Sequence, residues 1–295
     1  MKYFKLAFLQ NSELDRKEAA AVRKAAKQGD AESQHRLAGH LYMQDDEACV
    51  DWLRKAVKQD YALAMNDLAV LMFGGLFLPK DVKYGVQLLR EAAERQCSYA
   101  LLNLFFCNME GFGMPRNRAR AMQHLQQAVD LENAEAIREL AWCYRDGYGV
   151  KKSVEKCKLL NLQAAQMGVP AAMREYSRLL LDKRDKENFD PKEGVMWMLK
   201  AADGEDYEAM YDLALCHALG LYGFEQDKKK TTYWFLRAAS LDPISTTLDD
   251  SLNEFELYLL EEFSDVDDDD FDVNAIEEYL DAEMIEEYMK LNTLP

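Results

Sequence analysis

Ser153, Val154, Glu155 and Lys156 spell S-x-x-K, the spacing that sets a lysine amine one helical turn from a serine hydroxyl and serves acylation in penicillin-interacting enzymes. That chemistry needs companion elements, and neither an S-D-N nor a K-T-G sequence accompanies it. Six cysteines could bind zinc or form bridges, but they contain no C-x-x-C pair and no matched ligand set. The four histidines, His35, His40, His124 and His217, form no i, i+4 pair. No catalytic residue, metal ligand or cofactor motif is therefore assigned, and the elements that carry these residues must explain them.

The chain has 295 residues, of which 49% are hydrophobic and 30% charged, and its six prolines and most of its fourteen glycines fall between apolar runs. That distribution predicts helices separated by turns. The opening MKYFKLAFLQNSELD is the one candidate for an export signal; Lys5 breaks its apolar stretch and no small-residue cleavage site follows, so it is read as mature sequence. No run of eighteen apolar residues exists, which argues against a membrane span.

Charge is unevenly placed. Residues 242–295 carry 19 Asp and Glu against Lys290 alone, for a net −18, while the remainder holds 34 acids and 35 bases. The tail is a polyanion and the body is neutral. A nucleic-acid binder would need a basic stripe, and none stands out.

Small-residue pairs recur at Ala56-Val57, Ala92-Ala93, Ala128-Val129, Ala164-Ala165, Ala201-Ala202 and Ala238-Ala239, with spacings of 36, 36, 36, 37 and 37. Such a period holds two helices and their turns. Ala25-Ala26 opens a shorter first unit. Eleven residues before each pair stands Asp45, Asp81, Asn117, Ser153, Asp190 or Asp227, each able to cap a helix N-terminus, so Ser153 has a structural reading beside the chemical one. Seven before stands a small residue: Cys49, Gly85, Ala121, Cys157, Gly194 or Thr231. Eight and twelve after come Ala64 with Leu68, Ala100 with Leu104, Ala136 with Leu140, Ala172 with Tyr176, and Ala209 with Leu213, an apolar seam on the next helix. Glycines mark the intervening turns at Gly74-Gly75, Gly111 and Gly113, Gly147 and Gly149, and Gly220 with Gly223. Cys107, Cys143 and Cys216 share one repeat slot with Leu71, which reads as buried free thiols in a reducing compartment. Cys97 has no repeated slot. A helix pair of this size cannot fold alone, so neighbours must stack on one continuous core.

The stretch Ala136 to Ala165, AIRELAWCYRDGYGVKKSVEKCKLLNLQAA, resembles the SEL-like repeat family, α/α relatives of tetratricopeptide repeats with a G-x-G-V turn and a closing double alanine. The resemblance spans residues 25–241 and departs from the pattern at Gly74-Gly75, in the turn-glycine-free LLLDKRDKENFDP, and in the loopless first unit. It implies an all-α, right-handed superhelical solenoid of six helix-turn-helix repeats used as an interaction scaffold, with no fixed catalytic residue. Some cysteine-rich secreted relatives are tied to penicillin-interacting activity, which keeps an enzyme built on Ser153 and Lys156 as the rival reading.

Three segments are expected: a capping segment 1–24, repeats 25–241, and an acidic tail 242–295 with two amphipathic helices. Opposite the core seam, ten and fourteen residues after each phase alanine, lie Asn66 and Val70, Leu102 and Phe106, Arg138 and Trp142, Arg174 and Arg178, and Tyr211 and Leu215; Tyr99 lies seven after Ala92. Tyr99, Phe106, Arg138, Trp142, Arg174, Arg178 and Tyr211 would suit a partner protein's hot spots. The competing reading buries these aromatics within the array. In the tail, Ile276, Leu280, Met284 and Tyr288 form a stripe that would dock in a groove of the solenoid or on a partner, while residues 249–263 would cap its open end. The reading is a cytoplasmic, bacterial, non-enzymatic scaffold, either an adaptor or an immunity-type inhibitor, whose client is a protein of basic character.

Overall fold

The computed structural model describes residues 4–8 and 14–241. The described residues form thirteen α-helices and no strand: α1 Arg16–Lys27, α2 Ala31–Tyr42, α3 Ala48–Val57, α4 Ala62–Gly74, α5 Val82–Glu94, α6 Ser98–Glu110, α7 Arg118–Asp130, α8 Ala134–Asp146, α9 Val154–Gln166, α10 Pro170–Leu181, α11 Pro191–Asp203, α12 Tyr207–Leu219 and α13 Lys228–Leu241. The described residues divide into two compact units, the first ending at Cys157 and the second beginning at Lys158. The first contains α1 to α8, the second most of α9 and α10 to α13.

The phase alanines have two jobs. Ala56, Ala92, Ala128, Ala164, Ala201 and Ala238 are fully buried, where only a small side chain lets helices approach. In five of these, and at Ala25, the carbonyl accepts the N–H five residues on, from Tyr61, Cys97, Asn133, Val169, Asp206 and Asp30. Each bond closes the turn into the next repeat and satisfies a carbonyl that the ending helix leaves open.

Within a hairpin the turn is equally regular. The carbonyls of Leu71, Cys107 and Cys143 accept the N–H groups of Leu76, Phe112 and Tyr148, the six-to-one closure of a Schellman motif around a left-handed glycine. The residue that then starts the second helix is pinned twice. Asp81, Asn117, Ser153, Asp190 and Asp227 each donate their N–H to the end of the preceding helix, at Met72, Asn108, Tyr144, Leu180 and His217. Their side-chain oxygens accept the N–H three residues on, at Tyr84, Arg120, Lys156, Glu193 and Lys230. Five of the six expected caps are thus in place. Asp45 is not: the short first loop puts it at a turn position with φ 54°, and Asp46 takes over by accepting from Ala48 N–H at 2.9 Å.

The seam expected from the repeat is buried throughout, from Ala64 and Leu68 to Ala209 and Leu213. The small slot works as close contact requires: a Cβ on Gly85 would lie 2.6 Å from Phe73 Cε1, and one on Gly194 would lie 2.7 Å from Leu181. In the first unit the core joins Leu37, Leu53, Leu68, Phe73, Leu89 and Leu104; in the second it joins Met198, Met210, Leu213, Tyr211 and Phe235. All six cysteines are buried, as packing thiols should be.

Candidate functional site

In the first unit α2, α4, α6 and α8 are the leading helices of successive hairpins, and residues 4–8 lie across them. Phe4 to Leu6 form no regular structure, and Ala7 and Phe8 make a short turn. The amide of Asn103 on α6 pairs with one backbone residue on both sides: Lys5 N–H donates to Oδ1 at 2.7 Å, and Nδ2 donates to Lys5 C=O at 2.9 Å. Asn66 on α4 donates to the same carbonyl at 3.1 Å, and Asn103 Nδ2 also donates to Asn66 Oδ1 at 2.8 Å. Asp67 accepts the N–H groups of Ala7 and Phe8, one on each carboxylate oxygen. Asn66, Asp67 and Asn103 have no solvent exposure, so these bonds to the segment satisfy groups whose burial would otherwise be costly.

Side chains fix the segment's register. Phe4 lies among Phe73, Phe106 and Phe112, with ring centroids 4.8, 6.4 and 5.2 Å away. Phe8 packs against Tyr42 at 5.0 Å and His35 at 6.0 Å. Beneath it is Gly39, inside α2, where a Cβ would sit 2.9 Å from Phe8 Cβ. A glycine inside a helix costs about 1 kcal/mol relative to alanine, and here it makes room for the phenylalanine. Between the two aromatics, the Lys5 ammonium reaches Glu135 on α8 at 3.3 Å.

Arg138 on α8 is held by Glu135 at 3.3 Å and by Glu139. Burial raises the Glu139 carboxyl above the ordinary range, against the opposing pull of Arg138 and Lys5. Phe106 is buried against Phe4 and Phe105, Tyr99 is half-buried, and Trp142 stacks on Tyr148 at 5.7 Å. Phe106 is therefore covered, in part by the chain's own segment, while Tyr99 and Trp142 are half-buried.

In the second unit the arginines are also engaged. Arg174, 7% exposed, bonds Asp206 at 2.9 Å, Glu175 at 2.9 Å and Glu208 at 3.0 Å. Burial opposes its charge, yet Asp206, Glu208 and Glu175 hold it above its ordinary value. Arg178 grips both oxygens of Asp212, at 3.2 and 3.1 Å. Tyr211 is buried beside Tyr207 and Phe235, at 6.3 and 6.0 Å. Acidic neighbours therefore offset the positive charge that the sequence stripe suggested. Ile276, Leu280, Met284 and Tyr288 lie outside the described residues.

Lys5, Asp67, Asn103, Glu135 and Glu139 were not singled out by repeat phase. Their signal was present: Asn66-Asp67 and Asn103 are polar islands inside the apolar runs ALAMNDLAVLMF and SYALLNLFF. Ser153 has a helix-cap geometry, its hydroxyl accepting from Lys156 N–H and donating to Glu155 at 2.8 Å. The Lys156 amine is turned to Tyr144, 3.4 Å from its hydroxyl. Among the described residues no His, Cys, Asp and Glu cluster could hold a metal ion, and no helix is long and apolar enough to cross a membrane.

The sequence pattern of the Sel1 repeat matches residues 31–61, 62–97, 98–133, 134–169, 170–206 and 208–243. A Sel1 repeat protein from Oxalobacter formigenes superposes with a TM-score of 0.62 at 22% identity, over 75% of this chain and 94% of that one. The c5321 protein, a protective antigen of uropathogenic Escherichia coli strains with an SLR fold, gives 0.54 at 19% identity over 83% of this chain and 52% of its own. Immunity protein PA5088 from Pseudomonas aeruginosa gives 0.52 at 17% identity over 84% and 90%. At these identities the likeness is one of fold. Comparison with curated protein sequences finds no match.

Proposed function

The chain belongs to the Sel1 repeat family, and from that premise we propose that it works without catalysis, in the cytoplasm, by holding a partner protein as an adaptor or an immunity-type inhibitor. The observation that carries this reading is the seat on α2, α4, α6 and α8, where buried Asn66, Asp67 and Asn103 are already bonded to the backbone of a linear segment. Backbone recognition flanked by aromatic pockets is a binding device, and it needs no reacting group. The immunity protein among the structural neighbours supports the inhibitor version at the level of fold.

Half-buried Tyr99, Arg138 and Trp142 with buried Phe106 beside them on the first unit, and half-buried Arg178 with buried Arg174 and Tyr211 on the second, are the proposed contact residues of each unit, with the tail stripe Ile276, Leu280, Met284 and Tyr288 as a further docking element. The 19 carboxylates of residues 242–295 favour a basic client, chiefly by steering its approach. Capture from the native host, with full-length chain and with a chain lacking residues 242–295, should return one stoichiometric protein partner. The captured partner's own activity then separates the two roles: inhibition on adding the chain supports the immunity-type role, and unchanged activity with a third component bound supports the adaptor. Absence of any stoichiometric partner would overturn the scaffold reading, and labelling by a fluorescent penicillin that Ser153→Ala abolishes would replace it with the enzyme.

A further inference from the structure

We infer that the groove occupied by residues 4–8 is a receptor for a linear peptide from a partner protein, and that Phe4–Phe8 is a displaceable stand-in for it. The inference rests on the scaffold reading above and specifies the ligand: an aromatic residue, a basic residue directly after it, and a second aromatic four positions after the first.

Three observations support it. The polar contacts read backbone: Asn103 takes both the N–H and the C=O of Lys5, and Asp67 takes two successive N–H groups. Any non-proline peptide of the same path offers those groups. Side-chain selection falls mainly on three positions, through the Phe73 and Phe112 pocket, the Gly39 floor under Phe8, and Glu135 facing Lys5, while Leu6 packs partly buried on the core and Ala7 is buried. Finally, Asn66, Asp67 and Asn103 have no solvent exposure beneath the segment, and its backbone supplies partners to polar groups that it shields from water. The segment is joined to the receptor by its own chain, which gives it an effective concentration on the order of millimolar; a partner bearing a better-fitting peptide must outcompete that.

The test uses full-length protein and a fluorescein-labelled peptide of sequence MKYFKLAFLQ, the chain's own residues 1–10. Phe4→Ala/Phe8→Ala removes both anchors of the stand-in and leaves the groove intact. The double variant should bind the labelled peptide at least tenfold more tightly than the unsubstituted chain, and a scrambled peptide at least tenfold more weakly than the ordered one. In the unsubstituted chain, excess unlabelled peptide should speed amide exchange at Ala7 and Phe8 and leave Phe105 in α6 unchanged. The inference is overturned if the folded double variant binds no better, or if Ala7 and Phe8 exchange as slowly as Phe105 with and without peptide. Failure of the double variant to fold would make the segment part of the core and overturn it too. A concentration-dependent doubling of mass in that variant would assign the groove to a second copy and likewise reject the proposal. A partner captured equally well by both chains would leave the scaffold reading standing while removing this one.

Discussion

Nε2 of His35 lies 2.7 Å from Oδ2 of Asp67, so two polar side chains from successive hairpins meet where solvent scarcely reaches either. The same carboxylate receives the N–H groups of Ala7 and Phe8 and the amide of Asn66. One residue of α4 thus ties together a helix of the preceding repeat and the N-terminal segment.

Asp67→Ala should cost about 3 to 5 kcal/mol, because it strips one partner from a buried polar set and leaves several donors unanswered. Asp67→Asn keeps one acceptor oxygen and should lose less. Urea unfolding of the three proteins checks the order, and equal stability of Asp67→Ala and the parent would show that the network contributes nothing.

Gly111 and Gly113 share nearly the same backbone, with φ 73° and 67°, but differ in surroundings. A Cβ on Gly111 meets nothing closer than 3.4 Å, whereas one on Gly113 would lie 2.7 Å from Val82 Cγ1 and 2.8 Å from Val86 Cγ2. Gly111→Ala should cost about 1 to 2 kcal/mol of left-handed strain, and Gly113→Ala about 1 to 3 kcal/mol more for the overlap. Thermal melts that rank Gly111→Ala as the worse variant would contradict this packing of the turn on α5.

Ser153→Ala should lower stability by about 0.5 to 2 kcal/mol, through loss of the acceptor for Lys156 N–H. Ser153→Asp, matching the capping Asp81, Asp190 and Asp227 of other repeats, should leave the melting temperature close to the parent's. A larger loss for aspartate than for alanine would reject the capping role.

Burial pushes the Cys49 and Cys97 thiols up to about 11 and those of Cys107 and Cys143 up to about 12, from an ordinary 9.0. Folding then favours the protonated thiol. This contribution is fully present below pH 9 and is lost as pH rises through 11 to 12, so alkaline conditions should destabilise the protein. Burial likewise raises Tyr42, Tyr61 and Tyr176, which adds in the same direction. Melts at half-unit steps from pH 8 to 11 should show stability declining above 9, with a shallower fall in Cys107→Ala. Native alkylation at pH 8 should leave all six cysteines unmodified, and rapid labelling of Cys107 would contradict its burial.

The repeat architecture was legible in the sequence because its determinants act over short separations. A capping Asp reaches three residues along the chain, a phase alanine closes a turn five residues on, and a left-handed glycine sets the path of a single loop. Those rules placed five caps, the buried seam and five of the six buried thiols without tertiary information, Cys97 being the exception. They failed at Asp45 because shortening one loop by a few residues moved the cap to Asp46, which residue type alone could not distinguish. Other features depended on contacts that no period encodes. Asn103 meets Lys5 across 98 residues and Asp67 meets Phe8 across 59, so only the stacked helices could show that a polar island is a seat for backbone. The arginines gave the same lesson: counted along the helix they formed a cationic stripe, but Asp206 and Asp212, 32 and 34 residues further on, fold back to neutralise Arg174 and Arg178. Local geometry follows from neighbouring residues; the charge and occupancy of a surface follow from what the tertiary fold places against it.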